Sequence, residues 1–288
     1  MQFLLFFSKL LFLTKLCNNL NYIPIYNPKV IILSINDIFD LSSKVILITG
    51  ASGTLGHAFV ESLANAGAKL LLVDKRITPI LNLQKKIQKK DGKITVFKAD
   101  ITKEKDVENT FKHCINQFGS LDVLVNNVGI SKILPSIDMQ LADWNKVVNV
   151  NLNSVFLCSK ESAKYMIKQR RGKIINLTSI YGLIADRFPI SAYYASKAAI
   201  VNLTKALAIE WGRYRINVNA IAPSFFMSRM TKDFFEDFNI RNYILDKTPI
   251  RRLAETKDII GPLIFLASSA SDYITGQTIV VDGGWTAW

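Results

Sequence analysis

From about residue 38 onward, short β-branched apolar runs alternate with longer segments whose apolar residues recur at helical spacing. Strands are expected at 44–49, 69–73, 94–98, 121–125, 173–178, 216–220 and 278–281. Helices are expected between them at 55–66, 77–90, 104–118, 144–170, 192–214 and 259–267. A strand that returns to its own sheet through a helix makes a right-handed crossover and pairs in parallel, so helices cover both faces. The implied fold class is α/β, a single doubly wound parallel sheet of about seven strands. No Pro-, Gly- or Ser-rich linker interrupts 38–288, so that span reads as one domain.

Residues 1–37 do not share this order and read as an N-terminal extension of uncertain role. The stretch 1–16 is rich in Phe and Leu, but Lys9 and Lys15 divide it into runs far shorter than the roughly 18 apolar residues of a membrane span. The positive start, unbroken apolar centre and small-residue cleavage site of a secretory signal do not stand out. Residues 18–28 are polar, aromatic and proline-interrupted, with no period to anchor them to a core. An upstream translated stretch with no evolved role is favoured over a targeting segment or an added strand or helix. The expectation is a cytoplasmic protein with no stable membrane anchor.

Composition narrows the chemistry. A chain of 288 residues, 49% hydrophobic, needs neither disulfides nor a structural metal to hold a core. Cys17, Cys114 and Cys158 have no short mutual spacing, and His57 and His113 are the only histidines, so no metal site is expected. The net charge is +13, from 36 Lys and Arg against 23 Asp and Glu. These charges are scattered without a basic-aromatic strip, so they read as a solvated surface, and nucleic acid is not an expected partner.

Two constellations carry chemistry. Gly50, Gly53 and Gly56 follow the first strand, and Asp74 closes the second. Such a Rossmann-type turn lets backbone approach a pyrophosphate at a helix N-terminus, while the carboxylate binds ribose hydroxyls. In the later half, Tyr193 and Lys197 stand one helical turn apart, and Ser179 follows the strand 173–178. A phenol titrating near pH 10 is a poor acid–base group at neutral pH. An ammonium about 4 Å away at an effective dielectric near 20 attracts a phenolate by on the order of 4 kcal/mol, which would lower its pKa.

The motifs Thr49-Gly50-Ala51-Ser52-Gly53-Thr54-Leu55-Gly56, Asp100-Ile101, Asn126-Asn127-Val128-Gly129, Asn151, Ser179, Tyr193-x-x-x-Lys197 and Asn219-Ala220-Ile221-Ala222-Pro223 occur in this order. With the ending Tyr273-Ile274-Thr275-Gly276-Gln277 through Val281-Asp282-Gly283-Gly284, they resemble the short-chain dehydrogenase/reductase family over about 38–288. The resemblance implies an NAD(P)-dependent oxidoreductase that interconverts a secondary alcohol and a ketone. It implies Tyr193 as acid/base, Lys197 as its partner and ribose ligand, Ser179 on the substrate oxygen, and Asn151 holding a water in a proton relay. By the same resemblance Gly50, Ser52, Gly53, Thr54, Leu55, Gly56, Asp74, Asp100, Ile101, Asn126, Gly129, Pro223 and Ser228 would bind the cofactor, with Ile221 near the nicotinamide amide. Tyr194 competes with Tyr193 but stands three rather than four residues before the lysine.

This sequence departs from the family's pattern at several places. Thr54 stands where the middle glycine of the turn is usual, and Gly53 comes one place early. Val128 replaces an alanine, Ser224 a glycine and Ser228 a threonine. Asp74 favours NAD, whereas Lys75 and Arg76 could serve the extra phosphate of NADP; the expectation is NAD, with NADP as the alternative.

The runs Ala208-Ile209-Glu210-Trp211 and Gly283-Gly284-Trp285-Thr286-Ala287-Trp288 are more similar to the family's sugar-acid and polyol members, such as gluconate 5-dehydrogenase. The alternatives are a 3-oxoacyl-carrier-protein reductase-like ketoreductase and a non-catalytic nucleotide-binding regulator. Arg187, between Ser179 and Tyr193, is a candidate for a substrate carboxylate. The aromatic strip 225–243 falls where the family has its substrate lid, and its rings are either lid core or substrate contacts. The family also implies a homotetramer with a small-molecule substrate.

Overall fold

The computed structural model describes residues 34–42, 44–88, 93–228 and 231–287, with the side chains of 233 and 234 left aside. The readings made for 1–33 lie outside these residues. Seven strands form one sheet, every neighbouring pair parallel. They are β1 (Val45–Thr49), β2 (Lys69–Asp74), β3 (Ile94–Lys98), β4 (Val123–Asn126), β5 (Gly172–Leu177), β6 (Ile216–Pro223) and β7 (Thr278–Val281), in the spatial order 3-2-1-4-5-6-7.

The period of two along each strand divides the core. Ile46, Ile48, Leu70, Leu72 and Val125 face one side, where Phe59 and Leu63 of α1 (Thr54–Asn65), Ile80 of α2 (Thr78–Gln88) and a late helix meet them. Leu47, Leu71, Val73, Leu124 and Val218 face the other. There they pack against Phe111 of α3 (Glu104–Phe118) and against two long helices described next. A strand buried on both faces has no polar side to show, so β1 reads as the unbroken apolar run Val-Ile-Leu-Ile.

The helix expected over 144–170 begins earlier and is not continuous. Helix α4 (Leu141–Val148) passes through a π-turn at Asn149–Asn153 into α5 (Ser154–Gln169). The wider turn carries Asn151 inward to complete burial. Helix α6 (Ser191–Trp211) follows β5. Strand β6 runs on to Pro223, three residues past its expected end. Two helices the apolar period did not reveal, α7 (Lys232–Glu236) and α8 (Phe238–Lys247), lie in the aromatic strip. Helix α8 starts because the Asp237 carboxylate caps it, accepting from the N–H groups of Asn239 and Ile240. Helix α9 (Thr256–Ala267) completes the first face. No helix among the described residues is long and apolar enough to cross a membrane.

Candidate active site

The carboxyl ends of β1, β2, β4, β5 and β6 all lie at one edge of the sheet, where a parallel α/β fold presents its loops to ligands. Gly50 leaves β1 with φ +66°, and the Asn127 amide donates to its carbonyl at 3.0 Å. The Asn127 N–H donates to the Thr49 hydroxyl at 3.1 Å, so the end of β4 fixes the turn. A Cβ on Gly56 would overlap the Gly50 carbonyl oxygen, which explains glycine there. Gly53 is different: its φ of −76° and ψ of 167° suit any residue, and it caps α1 without a side-chain hydrogen bond. The displaced glycine is therefore not demanded by backbone strain, and Thr54 takes the first helical position.

Asp74 joins this turn. Its carboxylate accepts from the Ser52 N–H at 3.1 Å and from the Arg76 N–H at 3.0 Å. Asp100 holds Lys75 at 2.8 Å and the Thr102 hydroxyl at 2.6 Å. Burial works against its ionisation, but the bonds from Lys75 and Thr102 prevail and keep the carboxyl below its ordinary range. Ile101 is part of the apolar core.

The catalytic candidates meet around the start of α6. Ser179 sits at the exit of β5, its Oγ accepting from the Tyr181 N–H at 3.1 Å, and it lies beside the Tyr193 phenol. Burial pushes the Tyr193 phenol up to about 12, with the neighbouring Ser179 hydroxyl pulling against it. Lys197 lies with Nζ 5.6 Å from the Tyr193 ring centroid, donating to the Leu177 carbonyl at 2.7 Å, and burial pushes it down to about 8. The expected depression of Tyr193 by Lys197 is not found: the phenol is raised, desolvation of the phenolate is the largest cause, and Ser179 is what opposes it.

Asn151 is fixed through both atoms of its amide. Its Oδ1 accepts from the Ile130 N–H at 2.8 Å, while Nδ2 donates to the Ile130 carbonyl at 2.9 Å and to Ser196 Oγ at 3.0 Å. A Cβ on Gly129 would stand 3.4 Å from Lys197 Nζ and 3.8 Å from Asn151 Oδ1, so Gly129 joins these two residues in space.

Other candidates scatter. The Asn126 amide points into the interior, donating to Ser159 Oγ and Asn176 Oδ1. Ile221 and Pro223 are buried in β6, and Ser228 pairs with Thr231 in the loop beyond. The Tyr194 hydroxyl is occupied by the Asp186 backbone, accepting from its N–H and donating to its carbonyl, which leaves Tyr193 as the phenol facing Ser179. Arg187 is exposed, its guanidinium stacked 3.5 Å from the Tyr243 ring centroid. Phe225 and Phe235 are buried with Tyr181, Phe188 and Trp285, so these two rings are lid core. Among the described residues no cluster of His, Cys, Asp or Glu could hold a metal ion.

Sequence reasoning missed Thr178, whose hydroxyl donates to the Lys197 carbonyl at 2.8 Å, and Gly182, where a Cβ would crowd that same carbonyl. Both fasten α6 under the site, and both act across the fold, so no short-range pattern announces them.

A family model for short-chain dehydrogenases, described as enoyl-(acyl carrier protein) reductase, matches residues 50–286. The chain belongs to the short-chain dehydrogenase/reductase family. As a member of that family it is an NAD(P)-dependent oxidoreductase acting on CH–OH groups. It is 32% identical over 250 residues to gluconate 5-dehydrogenase of Gluconobacter oxydans, covering 87% of this chain and 97% of that one. It is 37% identical to 2-dehydro-3-deoxy-D-gluconate 5-dehydrogenase of Dickeya dadantii, covering 86% of this chain and 98% of that one. The crystal structure of a gluconate 5-dehydrogenase from Burkholderia cenocepacia, in complex with NADP and tartrate, superposes with a TM-score of 0.85 at 32% identity. That match covers 88% of this chain and all of the other.

Proposed function

We propose that this short-chain dehydrogenase/reductase oxidises a secondary alcohol of a sugar acid or polyol, and reduces the corresponding ketone, with NAD(H) as its preferred cofactor. The observation that carries the chemistry is the half-buried Tyr193 phenol beside Ser179 at the carboxyl edge of β5, with Lys197 one turn along the same helix. The names of the relatives support the substrate class.

The residues fit a dinucleotide. Gly53 as cap offers no side-chain acceptor of its own to the first N–H groups of α1, which suits an anion site. Gly50, Ser52, Thr54, Leu55 and Gly56 would form the pyrophosphate turn, and Asp74 would receive the ribose hydroxyls. Asp100 and Ile101 would flank the base, with Asn126, Gly129, Pro223 and Ser228 further along the cofactor. A bound nicotinamide supplies the hydride donor or acceptor.

The chain's own residues handle the proton. Ser179 donates to the substrate oxygen and stabilises negative charge as it develops. Tyr193 takes the alcohol proton in oxidation and returns it to the carbonyl oxygen in reduction. With its pKa near 8, Lys197 remains mostly protonated at neutral pH, and its charge favours the phenolate form of Tyr193. Asn151, fixed to Ile130, would position the relay that resupplies Lys197. Arg187 would bind the substrate carboxylate in a bidentate manner.

Asp74 supports NAD, since a carboxylate at the end of β2 repels a 2′-phosphate, and Lys75 is engaged by Asp100. Steady-state kinetics with NAD+ and NADP+ against sugar acids, polyols and 3-hydroxyacyl thioesters test the proposal. Higher kcat/KM with NAD+ on a sugar acid or polyol is expected. Equal or higher efficiency with NADP+ overturns the cofactor preference, and turnover confined to thioesters overturns the substrate class.

We further infer a cytoplasmic homotetramer in which 38–288 is the catalytic domain and 1–37 an extension. The exposed Phe156 on α5 and Ile209 on α6 support helix-to-helix packing between subunits. Light scattering of the purified protein tests it, and a monomer at micromolar concentration contradicts it.

A further inference from the structure

One buried carboxylate in this fold is not used by the chemistry above. The Asp186 side chain is 5% exposed and sits in the loop between Ser179 and Tyr193. Its Oδ1 accepts from the Tyr243 hydroxyl of α8 at 2.6 Å and from the Arg187 N–H at 2.7 Å. Its Oδ2 accepts from the Tyr181 hydroxyl at 3.4 Å, and Lys247 Nζ lies 4.0 Å from Oδ1. A carboxylate placed among Tyr181, Phe188 and Trp285 costs stability unless its oxygens are satisfied, and α8 supplies the shortest of these bonds.

The same carboxylate connects to the reacting centre. The Tyr194 hydroxyl clasps the Asp186 backbone through two hydrogen bonds, and Tyr194 directly follows Tyr193. On the other side, the Tyr243 ring that Asp186 fixes is the platform on which the Arg187 guanidinium lies, with Lys247 Nζ 5.2 Å from the same ring centroid. Two cations thus lie over one aromatic ring, which packs against Phe188 and Trp285 and whose hydroxyl is tied by the short bond to Asp186.

We propose that Asp186 is a positioning residue that fastens α8 to the loop after β5 through Tyr243, and thereby fixes Arg187 and Lys247 as a paired anion subsite for the substrate's carboxylate. The subsite part rests on the sugar-acid reading. The fastening part does not.

The test uses Tyr243→Phe, which keeps the ring and removes only the hydroxyl, together with Asp186→Asn and the double variant. Hydrogen exchange read by mass spectrometry over 238–247 is expected to be about tenfold faster in each single variant, and no faster in the double variant than in the faster single one. Unchanged exchange in Tyr243→Phe, or additive effects in the double variant, would overturn the fastening. With a sugar acid, KM is expected to rise about tenfold in Tyr243→Phe while kcat and nucleotide Kd hold, and an uncharged polyol should show no such rise. An equal rise for acid and polyol overturns the subsite. If the wild-type protein turns over no sugar acid, the substrate reading and the subsite fail together, while the exchange measurement still decides the fastening.

Discussion

Lys197 Nζ donates to the carbonyl of Leu177, 2.7 Å away, so the charge beside the candidate acid–base phenol Tyr193 is tied to the last residue of β5. This bond fixes the ammonium at the carboxyl edge of the sheet. Burial makes the charge costly there, which is the origin of its depressed pKa.

That depression sets a pH dependence. Lys197 falls from an ordinary 10.5 to about 8 on folding, so between these values the unfolded chain holds a proton the folded one has released. Stability from this group therefore rises with pH across about 8 to 10.5, and the penalty is full below that window. Lys197→Met removes the penalty, which amounts to as much as about 3 kcal/mol. The advantage of the variant over wild type in urea denaturation should be largest at neutral pH and shrink on raising the pH toward 10. A constant difference across the range contradicts the assignment.

Asn151→Ala strips the part-buried Ile130 N–H and carbonyl of their partners at once. A cost of about 2–4 kcal/mol is expected from leaving them unsatisfied. Loss of position at the π-turn should lower kcat by about a hundredfold, with nucleotide Kd changed little. Equilibrium unfolding and single-turnover rates check the two parts, and a variant of wild-type stability would contradict the first.

The glycine turn predicts a contrast. Gly53→Ala should cost no more than about 1 kcal/mol, because its backbone conformation suits alanine and the new Cβ would sit 3.3 Å from the Gly50 carbonyl. Gly56→Ala forces overlap with that same carbonyl and should cost about 1–3 kcal/mol and weaken nucleotide binding. Calorimetry with nucleotide titration measures both, and equal effects at the two positions contradict the reading of the turn.

Much of this fold is legible in the amino-acid sequence, for identifiable reasons. Fully buried parallel strands such as Val45–Thr49 have no alternative to an almost unbroken apolar run, which makes them legible, while the less buried β3 and β7 are marked by their β-branched residues. Tyr193 and Lys197 are one turn apart, and a helix brings such residues to one face without any help from the rest of the fold. The break in α4–α5 was hidden because a π-turn adds one residue to an otherwise regular helical period. Helix α8 was hidden because its start depends on the Asp237 cap and its apolar face on Trp285, far along the chain. The inward turn of Asn126 depends on Ser159 and Asn176, which only the packed sheet brings near.

Tyr193 is expected to exchange the proton while hydride passes to or from a nicotinamide. This role is tested most directly by following reduced-nicotinamide absorbance with purified protein, both cofactors and the panel of sugar acids and polyols, beside Tyr193→Phe. Wild-type turnover that falls at least about a hundredfold in the phenylalanine variant, with nucleotide binding retained, is the predicted result. Turnover that survives in the variant, or nucleotide binding by wild type with no oxidation or reduction of any panel member, would contradict it.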